Sequence, residues 1–105
     1  MQNNLYLAAK NGNIELIEKI KHQHYVNTGL YGACESGNLE LTKYFIEKLG
    51  AWDITNAIYY ACVVSKKPDE ATIKYLMTFH GRLMIKDEVV NIYYYESVRK
   101  FLGIL

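Results

Sequence analysis

One stretch of twelve residues returns inside this short chain, and that recurrence limits what the chain can fold into more than any other feature. Leu5-Tyr6-Leu7-Ala8-Ala9-Lys10-Asn11-Gly12-Asn13-Ile14-Glu15-Leu16 reappears 25 residues later as Leu30-Tyr31-Gly32-Ala33-Cys34-Glu35-Ser36-Gly37-Asn38-Leu39-Glu40-Leu41, with seven of the twelve positions identical. A third copy opens 28 residues further on at Ile58-Tyr59-Tyr60-Ala61-Cys62. Its later half, Ile73-Lys74-Tyr75-Leu76, matches Thr42-Lys43-Tyr44-Phe45 at an offset of 31, which places an insertion of three residues around Ser65 to Pro68. A unit this small cannot bury its own apolar side and must stack on its neighbour.

Within each copy the apolar spacing predicts two short helices joined by a turn. Leu, Ala and Ala or Cys line one side of the first helix, and small residues there allow close helix contact. Leu16, Ile17 and Ile20 line one side of the second. Asn13, Asn38 and Asp69 stand where a side-chain oxygen can accept an orphan backbone N–H, and Glu15, Glu40 and Glu70 suit the positive end of the helix that follows. Gly12 and Gly37 fit the turn before each cap, whereas Gly50 and Gly81 fit the left-handed position that ends a second helix.

These residues resemble the ankyrin repeat, whose consensus runs Thr-Pro-Leu-His-x-Ala-Ala-x-x-Gly-His-x-Glu before an apolar helix. The best match is Thr28-Gly29-Leu30-Tyr31-Gly32-Ala33-Cys34-Glu35-Ser36-Gly37-Asn38-Leu39-Glu40-Leu41, and Gly50-Ala51-Trp52-Asp53-Ile54 is similar to the loop after it. The likeness covers residues 3 to 81. It implies an all-α fold: a single short ankyrin-like solenoid with units at 3–27, 28–54 and 55–81 and a degenerate unit at 82–105. Spacings of 25 and 28 fall short of the family's roughly 33 residues, so the hairpins between units should be trimmed or missing. The family's His is Tyr6, Tyr31 or Tyr59, and tyrosine is expected to replace the usual hydrogen bonds between units with packing area.

Short, Tyr-rich units of this kind also resemble the multigene-family proteins of African swine fever virus and the ankyrin arrays of other large DNA viruses. That likeness implies work in the host cytoplasm, on host proteins of innate immune signalling.

Catalysis finds little to stand on. Cys34 and Cys62 fall where Ala9 sits in the first copy, so packing explains them, and neither has a recognisable base. His22, His24 and His80 form no Cys-x-x-Cys or His-x-x-x-His pattern that would close a zinc site. No phosphate-binding glycine loop is present. The expectation is a non-enzymatic chain with no cofactor and no metal.

Ten tyrosines raise the question of base stacking, but 12 Lys and Arg against 11 Asp and Glu leave a formal charge of only +1. A phosphate-tracking groove needs a clear basic excess, so nucleic acid is disfavoured against a protein partner. No apolar run approaches the roughly 18 residues a membrane span needs, and Met1-Gln2-Asn3-Asn4 lacks a signal-peptide pattern, which favours a soluble, cytoplasmic protein. In the ankyrin family the contact residues are those of the first helix that face the concave side, together with the loops between units. Here the resemblance puts them at Lys10 and Asn11, Glu35 and Ser36, Tyr60, Val63 and Val64, with Trp52 and Asp53 from a loop. Lys66 and Lys67, inside the insertion, read first as a solvated basic loop. Val63 and Val64 replace polar residues of the other copies, which fits either an apolar contact or burial beneath the insertion. Terminal repeats normally carry a polar outer surface. The last segment instead offers Tyr94, Phe101, Leu102, Ile104 and Leu105, which predicts self-association there; a structural homo-oligomer is therefore the rival to a protein-binding module.

Overall fold

The computed structural model describes residues 4–22 and 25–79. His24, His80, Gly81, the unit expected at 82–105 and its Tyr94, Phe101, Leu102, Ile104 and Leu105 lie outside the described residues. Among those described the fold is all-α, with no strand. Helices α1 (Leu5–Lys10) and α2 (Ile14–Ile20) form a first pair. The second pair is α3 (Val26–Glu35) and α4 (Leu39–Lys43), which runs on as a π-helical turn at Tyr44–Lys48. In the third, α5 (Ile54–Tyr59) runs on as a π-helical turn at Tyr60–Val64 and is followed by α6 (Glu70–Met77). Helix α3 begins ahead of the unit boundary expected at 28, and α5 ahead of that at 55, because Tyr25 and Asp53 take the N-cap positions.

The repeated caps form as the spacing predicts. Asn13, Asn38 and Asp69 accept the backbone N–H of Leu16, Leu41 and Thr72 at 3.1, 3.0 and 3.0 Å. Asn4 and Asp53, which the repeat comparison passes over, cap α1 and α5 in the same way. Each such bond contributes about 1 kcal/mol. Gly12 and Gly37 hold φ of 66° and 68°, a conformation open to glycine at little cost, and Gly50 ends the π turn of α4 at 77°.

The structure shows where the inserted residues go. Two residues separate α1 and α3 from the next cap, Asn11-Gly12 and Ser36-Gly37, whereas four, Ser65-Lys66-Lys67-Pro68, follow the third first helix. The remaining extra residue is absorbed by the π turn at Tyr60–Val64, closed by the Ser65 N–H on the Tyr60 carbonyl at 2.9 Å. The repeat therefore stays in phase on either side of the insertion.

Stacking buries one core. Helix α3 lies between α1 and α5, while α4 packs against α6. Leu5, Ala8 and Ala9 of α1, Leu30, Ala33 and Cys34 of α3, and Ala57, Ile58 and Ala61 of the third copy are all buried. Ile17, Phe45, Ile73 and Leu76 fill the space behind them. Close approach is built into α3. A Cβ on Gly32 would stand 2.2 Å from the Tyr6 carbonyl oxygen, and one on Gly29 would stand 2.2 Å from the Phe45 ring.

Candidate functional site

The first helices all end on one side, and what their last turns carry defines the site. Lys10 closes α1, Glu35 closes α3 and Ser36 caps it, and Ser65 caps the π turn after α5. Lys10, Glu35, Ser36, Ser65, Lys66 and Lys67 line one cavity of about 270 Å³. Thus the structure brings three of the expected contact residues together and adds the insertion loop, whose lysines the sequence presented as merely solvated. Asn11 is exposed at the end of α1. Val63 is 46% exposed and Val64 half-buried, so the adjacent valines are not both covered by the insertion.

Glu35 is less free than its position in the repeat implied. Its carboxylate, 10% exposed, pairs with Lys10 Nζ at 3.0 Å and also accepts the Tyr6 hydroxyl. It therefore fastens the first unit to the second before it can offer anything to a partner. Asp53 is committed in the same way. It caps α5 through Asn56 N–H at 3.3 Å, accepts Asn56 Nδ2 at 2.8 Å and accepts the Tyr31 hydroxyl.

These contacts correct the expectation that tyrosine supplies packing area alone. Tyr6 and Tyr31, on first helices, donate forward to acids of the following unit. Tyr44 and Tyr75, on second helices, donate back to Glu18 and Glu47 at 2.6 and 2.7 Å. Hydrogen bonds to an ionised acceptor are stronger than neutral ones, so each also fixes the register between units. Tyr59 falls six residues after its N-cap, as Tyr31 does, and the unit that would follow it lies outside the described residues. The helix widens from Tyr60 onward, and it is Tyr60 that stacks on Tyr31 at 4.8 Å, near-parallel, with Tyr6 edge-on at 6.0 Å. Tyr59 is left 44% exposed.

A second exposed feature lies on the loop between the second and third units. Trp52 is 55% exposed and meets Tyr25 edge-to-face at 6.5 Å. Asn27, fully buried, holds this loop: its Oδ1 accepts the backbone N–H of Trp52 and of Asp53 at 2.9 and 3.0 Å. The repeat comparison gave no signal for Asn27, since one Asn near a helix start looks like an ordinary cap residue.

Burial sets the thiol chemistry. Cys34 is buried beside Thr42, and desolvation pushes its thiol up to about 12, while that of Cys62 rises to about 11 for the same reason. Both are therefore neutral near pH 7 and poor nucleophiles. Desolvation, helped by the bond to Glu35, raises the Tyr6 hydroxyl to about 12, and burial with Asp53 raises Tyr31 as well. In the unfolded chain these groups lose their protons earlier, from the ordinary thiol value of 9.0 and phenol value of 10.0 upward. The unfolded state then binds fewer protons than the folded one, so stability is intact below about pH 9 and falls as the pH climbs toward 11 and 12. Urea midpoints measured at rising pH should decline across that window, and the decline should be shallower in Cys34→Ala.

Among the described residues no three His, Cys, Asp or Glu side chains converge as a metal site, and no helix is long and apolar enough to cross a membrane. His22 is exposed in the turn after α2. Glu15 and Glu70 face solvent and pair with Lys19 and Lys74 one turn on, at 3.8 and 3.4 Å. A groove of about 260 Å³ runs between α2 and α4, lined by Ile14, Ile17, Leu41 and Tyr44. Compared with protein families, curated proteins and solved structures, the chain gives no match.

Proposed function

We propose that this chain is a non-enzymatic protein–protein interaction module, built as a short ankyrin-like solenoid, that binds a protein through the ends of its first helices. One observation carries the reading: Lys10, Glu35 and Ser36, at corresponding turns of successive units, share a cavity with the insertion loop. Stacked units suit such work, because each adds side chains to one continuous surface without altering the next. Exposed Val63 and Trp52 supply apolar contact area beside the polar cavity and on the neighbouring loop. The resemblance to viral multigene-family proteins makes a host signalling protein in the cytoplasm the partner class to seek.

Affinity capture from host-cell lysate tests this, with the wild-type chain beside a Ser36→Glu, Val63→Asp variant. Both substitutions fall on side chains open to solvent, so circular dichroism should be unchanged. The expected result is a protein retained by the wild type and lost by the variant. Identical captured sets would count against this face.

A further inference from the structure

The cavity at the first-helix ends carries an unbalanced charge. Lys10, Lys66 and Lys67 face a single acid, Glu35, and that acid is already satisfied by Lys10 and the Tyr6 hydroxyl. Lys66 and Lys67 are exposed and form no ion pair among the described residues. An excess of two positive charges thus gathers at one recess of a chain whose formal charge is +1.

Turn N–H groups of Asn11, Gly12, Ser36 and Gly37 take the carbonyls of Leu7, Ala9, Gly32 and Cys34, whereas at the third helix Ser65 N–H takes the Tyr60 carbonyl, so the Lys66 and Lys67 charges also stand beside the negative end of that helix. Ser65 is buried, and its Oγ accepts the Lys67 N–H at 3.3 Å, which fixes the loop and leaves the hydroxyl proton to donate. Ser36 Oγ spends its proton on the Ala33 carbonyl. The recess therefore offers two ammonium groups and one hydroxyl proton as donors.

We propose that this cavity receives carboxylate side chains of an acidic segment of the protein partner, with Lys66 and Lys67 as the charged contacts and Ser65 as a hydroxyl donor. The proposal rests on the protein-binding reading and names the chemistry of what is bound. An extended nucleic acid is a poorer fit, because Glu35 lies inside the recess and Asp69 and Glu70 follow the lysines directly, which interrupts any basic track. Lysine presents its charge as a point and needs no planar fork, so isolated carboxylates suffice.

The test uses the full chain and a fluorescein-labelled ten-residue peptide of alternating Glu and Ser, with three comparison probes: the same peptide with Gln for Glu, one carrying phosphoserine with Gln for Glu, and a single-stranded oligonucleotide of equal charge. Fluorescence anisotropy at low salt should show the Glu peptide bound and the Gln peptide unbound. Lys66→Gln with Lys67→Gln should weaken the Glu peptide about tenfold, with the melting temperature unchanged, and added salt should weaken the wild type likewise. No binding of the Glu peptide, equal binding of the Gln peptide, a preference for the phosphopeptide or oligonucleotide, or an unaffected lysine variant would each overturn the proposal. If the lysine variant loses stability instead, the pair serves the fold and the proposal fails. These outcomes separate from those of lysate capture: a partner captured through Ser36 and Val63 with no Glu-peptide binding leaves the module intact and removes only the acidic segment. Peptide binding without any captured partner does the reverse.

Discussion

Gly32→Ala should destabilise the protein sharply, although by intrinsic preference it should do the opposite. Alanine in mid-helix is favoured over glycine by about 1 kcal/mol. Here the added Cβ would meet the Tyr6 carbonyl oxygen at 2.2 Å and the Lys10 amide nitrogen at 2.9 Å, both backbone atoms of α1. Backbone cannot swing aside as a rotamer does, so α1 must lift from α3, and the pairing of Tyr6 and Lys10 with Glu35 goes with it. Overpacking of this kind costs about 3 kcal/mol or more, and the net loss after the propensity gain is about 2 kcal/mol. That corresponds to a fall in Tm of about 10 °C for a domain near this size. Gly29→Ala, whose Cβ would meet the Phe45 ring and the Leu5 side chain, should fall less, because side chains can rearrange. Thermal melts of the two variants beside the wild type check both sign and order. A stabilised Gly32→Ala would mean that α1 and α3 do not approach as closely as described.

Asn27→Ala should have an effect of at least the same size. It removes the acceptor for two backbone N–H groups at 2.9 and 3.0 Å and leaves both without a partner in a loop whose geometry depends on them. Each stranded donor costs about 1–3 kcal/mol, so a total of about 3 kcal/mol is expected. The change also has a local signature. Trp52 is the chain's single tryptophan, and its place against Tyr25 depends on the same loop. Near-UV circular dichroism from Trp52 should weaken at temperatures where the far-UV helix signal is still native. Loss of the two signals together would show that the loop is not held separately by Asn27.

What the sequence made legible was the content of each unit taken alone. Asn13, Asn38 and Asp69 act within three residues of themselves, and Gly12, Gly37 and Gly50 answer to their own φ, so local pattern was enough. Even the insertion could be placed, because the matching segments on either side of it stand at offsets of 28 and 31. What stayed hidden lies between units. Tyr6 and Glu35 are 29 residues apart, Tyr31 and Asp53 are 22, and no local rule pairs a phenol with a carboxylate at those distances. The same ignorance left Glu35 and Asp53 looking free for a partner when they are held by tyrosine. Tyr60, which stacks on Tyr31, has Gly32 and Leu7 as its equivalents, so identity between copies gives it no mark. Lys66 and Lys67 are exposed, as a solvated loop requires, but an insertion has no equivalent in the other copies, so the recess they share with Lys10 and Glu35 had no signal.

The proposed binding face is open to a direct test by site-specific photocrosslinking. A photoreactive benzophenone amino acid is placed singly at Asn11, Ser36 or Val63 on one side, and at Glu15, Glu40 or Lys74 on the second helices. All six side chains are exposed, so the substitutions themselves should leave the fold unchanged. After irradiation in living cells, one and the same protein should be attached at the first three positions and absent at the other three. Equal labelling of both groups, or adducts to a second copy of this chain alone, would contradict a protein-binding face at the first-helix ends.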